Sequence, residues 1–159
     1  MSDAPRCPWC GTDPLYVAYH DTEWGVPLHD ERALFELLTL EGAQAGLSWF
    51  TILKKREGYQ LAFDNFDAEC IARYSESDVA RLMANAGIVR NRLKIESTIT
   101  NARATLALRD AGGGLDGYFW NFVDGRPIVN APADLSQVPA STPLSDAISK
   151  DLKKRGFKF

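Results

Sequence analysis

The sequence has 159 residues, of which 45% are hydrophobic, and a formal net charge of -3 at pH 7. This length suits one domain with a single buried core, and the apolar share excludes a disordered or fibrous chain. No apolar run is long enough to span a bilayer, and the amino terminus lacks the basic and then apolar pattern of a secretory signal. A cytoplasmic protein that does not associate with membranes is therefore expected.

The charge is distributed unevenly along the chain. Residues 1–48 hold eight acidic residues against two basic ones, whereas residues 49–159 hold sixteen basic residues against thirteen acidic ones. Association is steered by the local distribution of charge more than by its sum. A phosphate backbone is therefore expected to meet the second part of the chain.

Helical patterns begin at residue 31. The spacing of apolar residues predicts a helix from Glu31 to Leu40 and another over residues 43–56, which ends in three cations suited to a helix carboxyl terminus. A third helix is predicted from Ser75 to Ala86, where Ser75 and Asp78 form a capping box.

The remaining chain continues this pattern. A periodic run after Gly87 predicts a long helix that ends at the triple glycine of residues 112–114, so that a tight hairpin joins it to the preceding helix. The segment from Gly117 fits a strand pair or an aromatic-rich helix followed by a turn, and the helix is favoured. Thr142 and Pro143 predict the start of a last helix. The expected fold is a single all-α domain over residues 1–159, compact and helical, with an irregular amino-terminal segment.

The predicted hairpin carries Gly87, Arg90, Arg92 and Lys94. Backbone amides at a glycine turn and at a helix start form an anion site that nearby cations strengthen, which points to DNA phosphates. Any antiparallel helix pair also needs a turn and solvated cations, and on the pattern alone this plain structural interpretation is the stronger one.

Cys7, Cys10 and His20 have the spacing of metal ligands. Two cysteines three residues apart and a histidine could bind one tetrahedral zinc ion, but a fourth ligand is missing, since His29 and Cys70 stand in no paired motif. Sparse cysteines in a reducing compartment are equally expected to be free thiols.

Aromatic residues crowd the amino-terminal part of the chain, and Glu41 lies between two apolar helical runs. The rings belong to Trp9, Tyr16, Tyr19 and Trp24, with Trp49 and Phe50 further along. Ring clusters are most often core, and a glutamate at a helix end is most often solvated. Ring faces beside one carboxylate also suit a pocket for a flat, electron-poor heterocycle that donates hydrogen bonds, such as a flipped purine.

Five longer strings resemble the bacterial 3-methyladenine DNA glycosylase I family, a helix-hairpin-helix branch of the base-excision repair enzymes. They are DPLYVAYHDTEWGVP from Asp13, LEGAQAGLSWFTILKKRE from Leu40, AGIVRNRLKI from Ala86, FWNFV from Phe119 and SDAISKDLKKRGFKF from Ser145. The resemblance runs almost from end to end. It implies a monofunctional enzyme, expected to be a monomer, that hydrolyses the N-glycosidic bond of 3-methyladenine in alkylated double-stranded DNA.

The resemblance also implies roles for individual residues. Glu41 would be the pocket carboxylate that stabilises the cation developing as the bond breaks, and Trp49 would stack on the flipped base. The walls would be completed by four further rings, Trp9, Tyr16, Tyr19 and Trp24. The phosphates that flank the lesion would be held by the hairpin residues Gly87, Arg90, Arg92 and Lys94.

Cys7 and His20 match two of the four zinc ligands of the family. The other two, a histidine and a cysteine, are expected in a segment beyond the RGFKF string, whereas this sequence ends at Phe159. The expectation is a structural zinc site with half of its family ligands absent from this chain and Cys10 as a possible third ligand. If zinc ties the chain ends together, its loss would leave residues 1–24, which carry four of the wall rings, loose.

Two rival functions fit the same sequence. One is a non-catalytic DNA-binding helix-hairpin-helix module with a vestigial base pocket, and base release from methylated DNA distinguishes it from a glycosylase. The other is a zinc-knuckle adaptor centred on Cys7 to His20, which metal analysis tests.

Overall fold

The computed structural model describes residues 4–159, so residues 1–3 of the predicted amino-terminal segment and of the predicted domain lie outside the described residues. Within residues 4–159 the regular structure consists of nine α-helices and short 3-10 turns. The helices are α1 (Pro14–Thr22), α2 (Glu31–Ala43), α3 (Trp49–Lys54), α4 (Arg56–Ala62), α5 (Ala68–Ala72), α6 (Glu76–Met83), α7 (Arg92–Ala111), α8 (Gly114–Asn121) and α9 (Pro143–Lys154). The all-α fold is thereby confirmed. None of these helices is both long and apolar enough to cross a membrane.

The prediction of one helix over residues 43–56 was wrong. The chain leaves the helical conformation after Ala43, turns through Gly46 at a φ of +78°, and resumes as α3 only at Trp49. Ser48 begins α3 because its hydroxyl accepts the backbone N–H of Thr51 at 3.1 Å. The prediction failed because the apolar residues on both sides of this turn are spaced as they would be in one continuous helix.

The amino-terminal segment contains the helix α1, which the sequence pattern did not predict. The Asp13 side chain accepts the backbone N–H of Leu15 at 2.9 Å, and Pro14 occupies the first helical position. The helix has no buried residue and lays its rings on the rest of the domain. Such a helix depends on tertiary contacts, which explains its weak periodic signal.

The core is built around α7, which contacts α2, α5, α6 and α8. Ile95, Ile99 and Ala102 of α7 are buried, as are Phe35 and Leu40 of α2. Because α2 and α7 share this core, the carboxyl end of α2 is placed against the first turn of α7, which follows the hairpin.

The turn between α6 and α7 is seated on α4. The ammonium group of Lys55 donates to the carbonyl of Ala86 at 3.2 Å, and the hydroxyl of Tyr59 accepts the N–H of Val89 at 3.3 Å. Between these contacts Gly58 faces Gly87 with no side chain between the two backbones. The position of the hairpin therefore depends on α4 as well as on its own two helices.

Candidate active site

The sequence-predicted rings lie together in one cluster. The Trp9 ring lies 5.3 Å from that of Tyr16 and 5.2 Å from that of Trp24, measured between ring centroids, and Tyr19 lies 5.3 Å from Trp49. Trp9 and Tyr19 join the two groups at 6.3 Å. Rings at these separations and tilts attract one another, so the amino-terminal segment is held to α3 by its aromatic side chains.

Phe50 extends this cluster. Its ring stacks on Tyr16 with a centroid distance of 4.9 Å and an interplanar angle of 5°. Phe50 was predicted as part of the ring cluster, but no base-binding role was predicted for it. Phe50 thus links α3 to the Tyr16 ring of α1.

Trp49 is the most enclosed of the predicted wall rings, with 9% of its surface exposed against 46% for Trp24. The indole N–H of Trp49 is buried and has no hydrogen-bond partner among the described residues. Buried donors of this kind are usually satisfied. Trp49 therefore combines an enclosed ring with a hydrogen-bond donor that residues 4–159 leave available.

Glu41 lies near the carboxyl end of α2 and is exposed, but its environment is not that of bulk water. Desolvation by nearby protein atoms raises the pKa of the Glu41 carboxyl. Burial, with a further contribution from the Glu41 charge, also raises the pKa of Tyr19 to about 12. The Glu41 carboxyl is thus both accessible to solvent and raised in pKa. These two properties fit a carboxyl on the wall of an open concave surface beside Tyr19.

A part-buried ion-pair network anchors the helix that carries Glu41. Glu36, with 8% of its surface exposed, accepts a hydrogen bond from the guanidinium of Arg56 at 2.5 Å. Arg56 also donates to both carboxylate oxygens of Glu23 at 2.8 Å. Since Glu23 ends α1, one guanidinium joins α1, α2 and α4 close to Tyr19. This network was not predicted, because its three charged residues are far apart in the sequence.

A cleft of about 460 Å³ between α1 and α4 adjoins this network. Tyr19, Glu23 and Arg56 line it. Its size falls in the usual range of small-molecule sites. Tyr19 thus faces both this cleft and the ring cluster.

The four hairpin residues have different surroundings. The N–H of Gly87 donates to the side chain of Asn85 at 2.8 Å, and Arg92 pairs with Glu76 and Glu96 at 2.8 Å each. The ammonium group of Lys94 donates to backbone carbonyls of the α2–α3 turn.

Arg90 is exposed and has no hydrogen bond or ion pair with any other residue in the described range. It is the hairpin cation most available to a phosphate. Phosphate binding by all four hairpin residues stays a prediction.

Cys7 and His20 are neighbours in the structure. The Nε2 atom of His20 accepts the backbone N–H of Cys7 at 3.3 Å, and Nδ1 lies 2.9 Å from the carboxylate of Asp21. A carboxylate on one ring nitrogen is the usual support of a metal-binding histidine. Cys10 is buried, and its thiol donates to the carbonyl of Cys7 at 3.2 Å. Among residues 4–159 no group of three or more His, Cys, Asp or Glu side chains is arranged to hold a metal ion.

Comparison with known proteins places the whole arrangement in a family. The chain matches the methyladenine glycosylase family over residues 9–159. It is 53% identical over 154 residues to DNA-3-methyladenine glycosylase 1 of Escherichia coli (strain K12), which covers 97% of this chain and 82% of that protein.

Solved structures agree with this match. A crystal structure of 3-methyladenine DNA glycosylase I has a TM-score of 0.94 at 55% identity, covering 97% of this chain and 85% of that chain. A crystal structure of a 3-methyladenine DNA glycosylase I variant in complex with 3-methyladenine has a TM-score of 0.93 at 40% identity, covering 96% of this chain and 82% of that chain. The protein described here therefore belongs to the methyladenine glycosylase family, as its sequence strings predicted.

Proposed function

We propose that the protein is a base-excision repair glycosylase that hydrolyses the N-glycosidic bond of 3-methyladenine in alkylated DNA and releases the free base. It is similar over nearly its whole length to a DNA-3-methyladenine glycosylase, and a related structure is a complex with 3-methyladenine. The observation that carries the proposal is the enclosed cluster of Trp49, Tyr19 and their neighbouring rings beside the desolvated carboxyl of Glu41.

The chemistry of the lesion explains why this site suffices. Methylation at N3 makes the base cationic, so when the bond from C1′ to N9 breaks, the electron pair moves to the base, which leaves neutral. The positive charge passes to the sugar, water adds at C1′, and its proton is lost to solvent. Because the leaving group is already activated, the remaining barrier is smaller than for normal adenine and no strong acid is needed. In agreement with this, the sequence has no aspartate between Gly87 and Leu108, in the region of the hairpin and of α7, that could assist the reaction.

Within this proposal Glu41 acts by electrostatics. Its carboxylate accepts hydrogen bonds from the flipped base and stabilises the positive charge as the bond breaks. Trp49 stacks on the base, and Trp9, Tyr16, Tyr19 and Trp24 complete the pocket. A neutral, unmethylated adenine would leave the polar groups of this pocket without their partners, which disfavours its binding.

The DNA contact is proposed to be made by the hairpin. Arg90 is the best supported contact because it is exposed and unpaired within the described residues. Phosphate contacts at the turn position the duplex and leave recognition to the base pocket. The substrate would be double-stranded DNA, approached by one monomer because a single chain supplies both the rings and the hairpin. In a bacterial cell this substrate lies in the cytoplasm.

Base release provides the direct test. We expect the purified protein to liberate 3-methyladenine from methylated duplex DNA, as detected by chromatography of the free base, and to leave an abasic site. The rival function is a non-catalytic DNA-binding module. It is supported by the contacts of the hairpin with Lys55 and Tyr59, which do not involve the residues of the base pocket. Binding of the same DNA without any base release would support that rival and contradict the glycosylase.

Zinc is proposed as a structural ion bound through Cys7 and His20. The support is the Asp21 carboxylate on Nδ1 of His20 and the approach of Nε2 to Cys7. A closed tetrahedral site needs two further donors, for which Cys10 is the nearest candidate thiol.

Metal analysis can test this proposal. We expect the purified protein to contain zinc and H20A to lose most of it, because the substitution removes one of the two proposed ligands. The matched control is H29A, since His29 pairs with Asp116 and stacks on Trp120, away from Cys7. Equal zinc content in the parent and in H20A would refute the assignment.

A further inference from the structure

Lys94 lies in the first turn of α7 but directs its charge towards another element. Its ammonium group donates to the carbonyl of Ala43 at 2.9 Å and to the carbonyl of Ala45 at 2.6 Å. These carbonyls belong to the last residue of α2 and to the turn that follows it. Two of the three ammonium protons are therefore bound to backbone carbonyls of the segment that joins Glu41 to Trp49.

The local electrostatics favour this contact. The carboxyl end of a helix carries partial negative charge on its unpaired carbonyls, and a cation placed there stabilises it. The turn after α2 is also closed by two neutral backbone bonds of its own, from the N–H of Ala45 to the carbonyl of Gly42 at 3.3 Å and from the N–H of Leu47 to the carbonyl of Gln44 at 2.7 Å. A charge-assisted hydrogen bond is stronger than a neutral one, so Lys94 is the principal external support of this turn.

The backbone of Lys94 is fixed as well. Asn91 begins α7, and its side chain accepts the N–H of Lys94 at 3.0 Å. Four residues before Lys94, the Arg90 side chain is exposed to solvent. The short segment that begins α7 therefore carries two cations with different surroundings. Arg90 is unpaired among residues 4–159 and faces solvent, whereas Lys94 is bound to the turn after α2.

We propose that Lys94 is a positioning residue for the base site. It holds the turn between Glu41 and Trp49 in register with the hairpin, so that seating of the hairpin on the DNA places the carboxylate and the indole together around the flipped base. This inference rests on the proposed function and reassigns Lys94, which the sequence pattern grouped with the phosphate-binding residues.

The test compares K94M with R90M and K94R. For K94M we expect single-turnover base release at saturating DNA to be about 10- to 100-fold slower than for the parent, since small displacements of catalytic groups have effects of this size. The affinity for DNA and its dependence on salt should be unchanged. K94R should restore most of the rate, because a guanidinium can also donate to two carbonyls.

R90M serves as the contrast. Loss of one phosphate contact should weaken DNA binding and lower the slope of log K against log salt by about 0.9. If K94M gives this same reduced slope and keeps the parental rate at saturating DNA, Lys94 is a phosphate ligand and the proposal is overturned. If K94M does not fold, K94Q takes its place in the same measurements.

The salt slope is independent of catalysis. A parent protein that releases no base would contradict the proposed function, whereas the slope of K94M would still distinguish an internal tie from a phosphate contact. An unchanged slope excludes a phosphate contact at Lys94, whereas a reduced slope, or a parental rate of base release for K94M, refutes the positioning role.

Discussion

Replacement of Glu41 by glutamine is expected to slow release of 3-methyladenine about 100- to 1,000-fold, the range found when one preorganised electrostatic group is removed from an active site. The amide keeps the size of the side chain but loses the charge that stabilises the developing cation. DNA affinity should be retained, because Arg90 and the hairpin are unaffected. Single-turnover base release and binding to unmodified duplex measure the two quantities.

The same substitution should change the pH dependence of the reaction. Desolvation raises the pKa of Glu41, and only the ionised carboxylate can stabilise positive charge. The parental rate should therefore fall as the pH drops through this raised pKa, at a higher pH than for an ordinary glutamate. E41Q should lack this acid limb.

The contribution of Glu41 to the stability of the fold should depend on pH in the opposite sense to the reaction rate, rising as the pH falls. Because the folded protein raises the pKa of Glu41, protonation favours folding, and this stabilisation is present below the unfolded pKa and is lost as the pH rises through the folded pKa. At pH 7 the ionised carboxylate therefore disfavours folding. E41Q should melt at a higher temperature than the parent at pH 7, and the difference should narrow below about pH 4.

E57Q is the matched control for Glu41. Glu57 is an exposed glutamate on α4 whose side chain has no hydrogen bond or ion pair with any other residue among residues 4–159. It should leave the rate, the acid limb and the melting temperature close to those of the parent. Equal rates for E41Q and E57Q would remove Glu41 from the reaction.

Replacement of Gly58 by alanine should disrupt the seat of the hairpin. A Cβ at this position would lie 2.8 Å from the carbonyl carbon of Gly87 and closer still to its oxygen. Both elements would have to move apart, because the obstacle is backbone and has no rotamer to adopt. We expect a loss of about 1–3 kcal/mol in the free energy of unfolding, the typical range of overpacking.

The sign of this effect is informative, because alanine usually stabilises a helix relative to glycine by about 0.5–1 kcal/mol. Gly117 lies inside α8 with open space where its Cβ would be, so G117A should keep or raise the stability. Urea unfolding of both variants measures the difference, and DNA affinity should fall only for G58A. A stabilised G58A would show that α4 does not fix the hairpin.

Capping signals and periodicity predicted the helices whose ends are set by local chemistry. Thr142 and Pro143 start α9, the triple glycine ends α7, and the N–H of Ser75 is bound by Asp78 at 2.9 Å as expected. The break after Ala43 was not predicted, because apolar residues continue across it and only Gly46 and Ser48 signal the turn.

Contacts between distant residues could not be predicted from the sequence. The approach of Gly58 to Gly87 involves two residues without side chains, and the bonds of Lys94 end on backbone carbonyls, which every residue has. The rings near Glu41 were predictable as a group because their number and spacing are unusual. Their mutual distances were not, since they depend on how α1 packs against α3.

The guanidinium of Arg56 joins the end of α1 to the middle of α2 through Glu23 and Glu36. Tyr19 is carried by α1 and Glu41 by α2, so Arg56 contributes, together with the ring contacts of α1 to α3, to the spacing between the aromatic rings and the carboxyl group. A site that selects a base by its thickness and outline depends on this spacing, to which Arg56 contributes from outside the ring cluster.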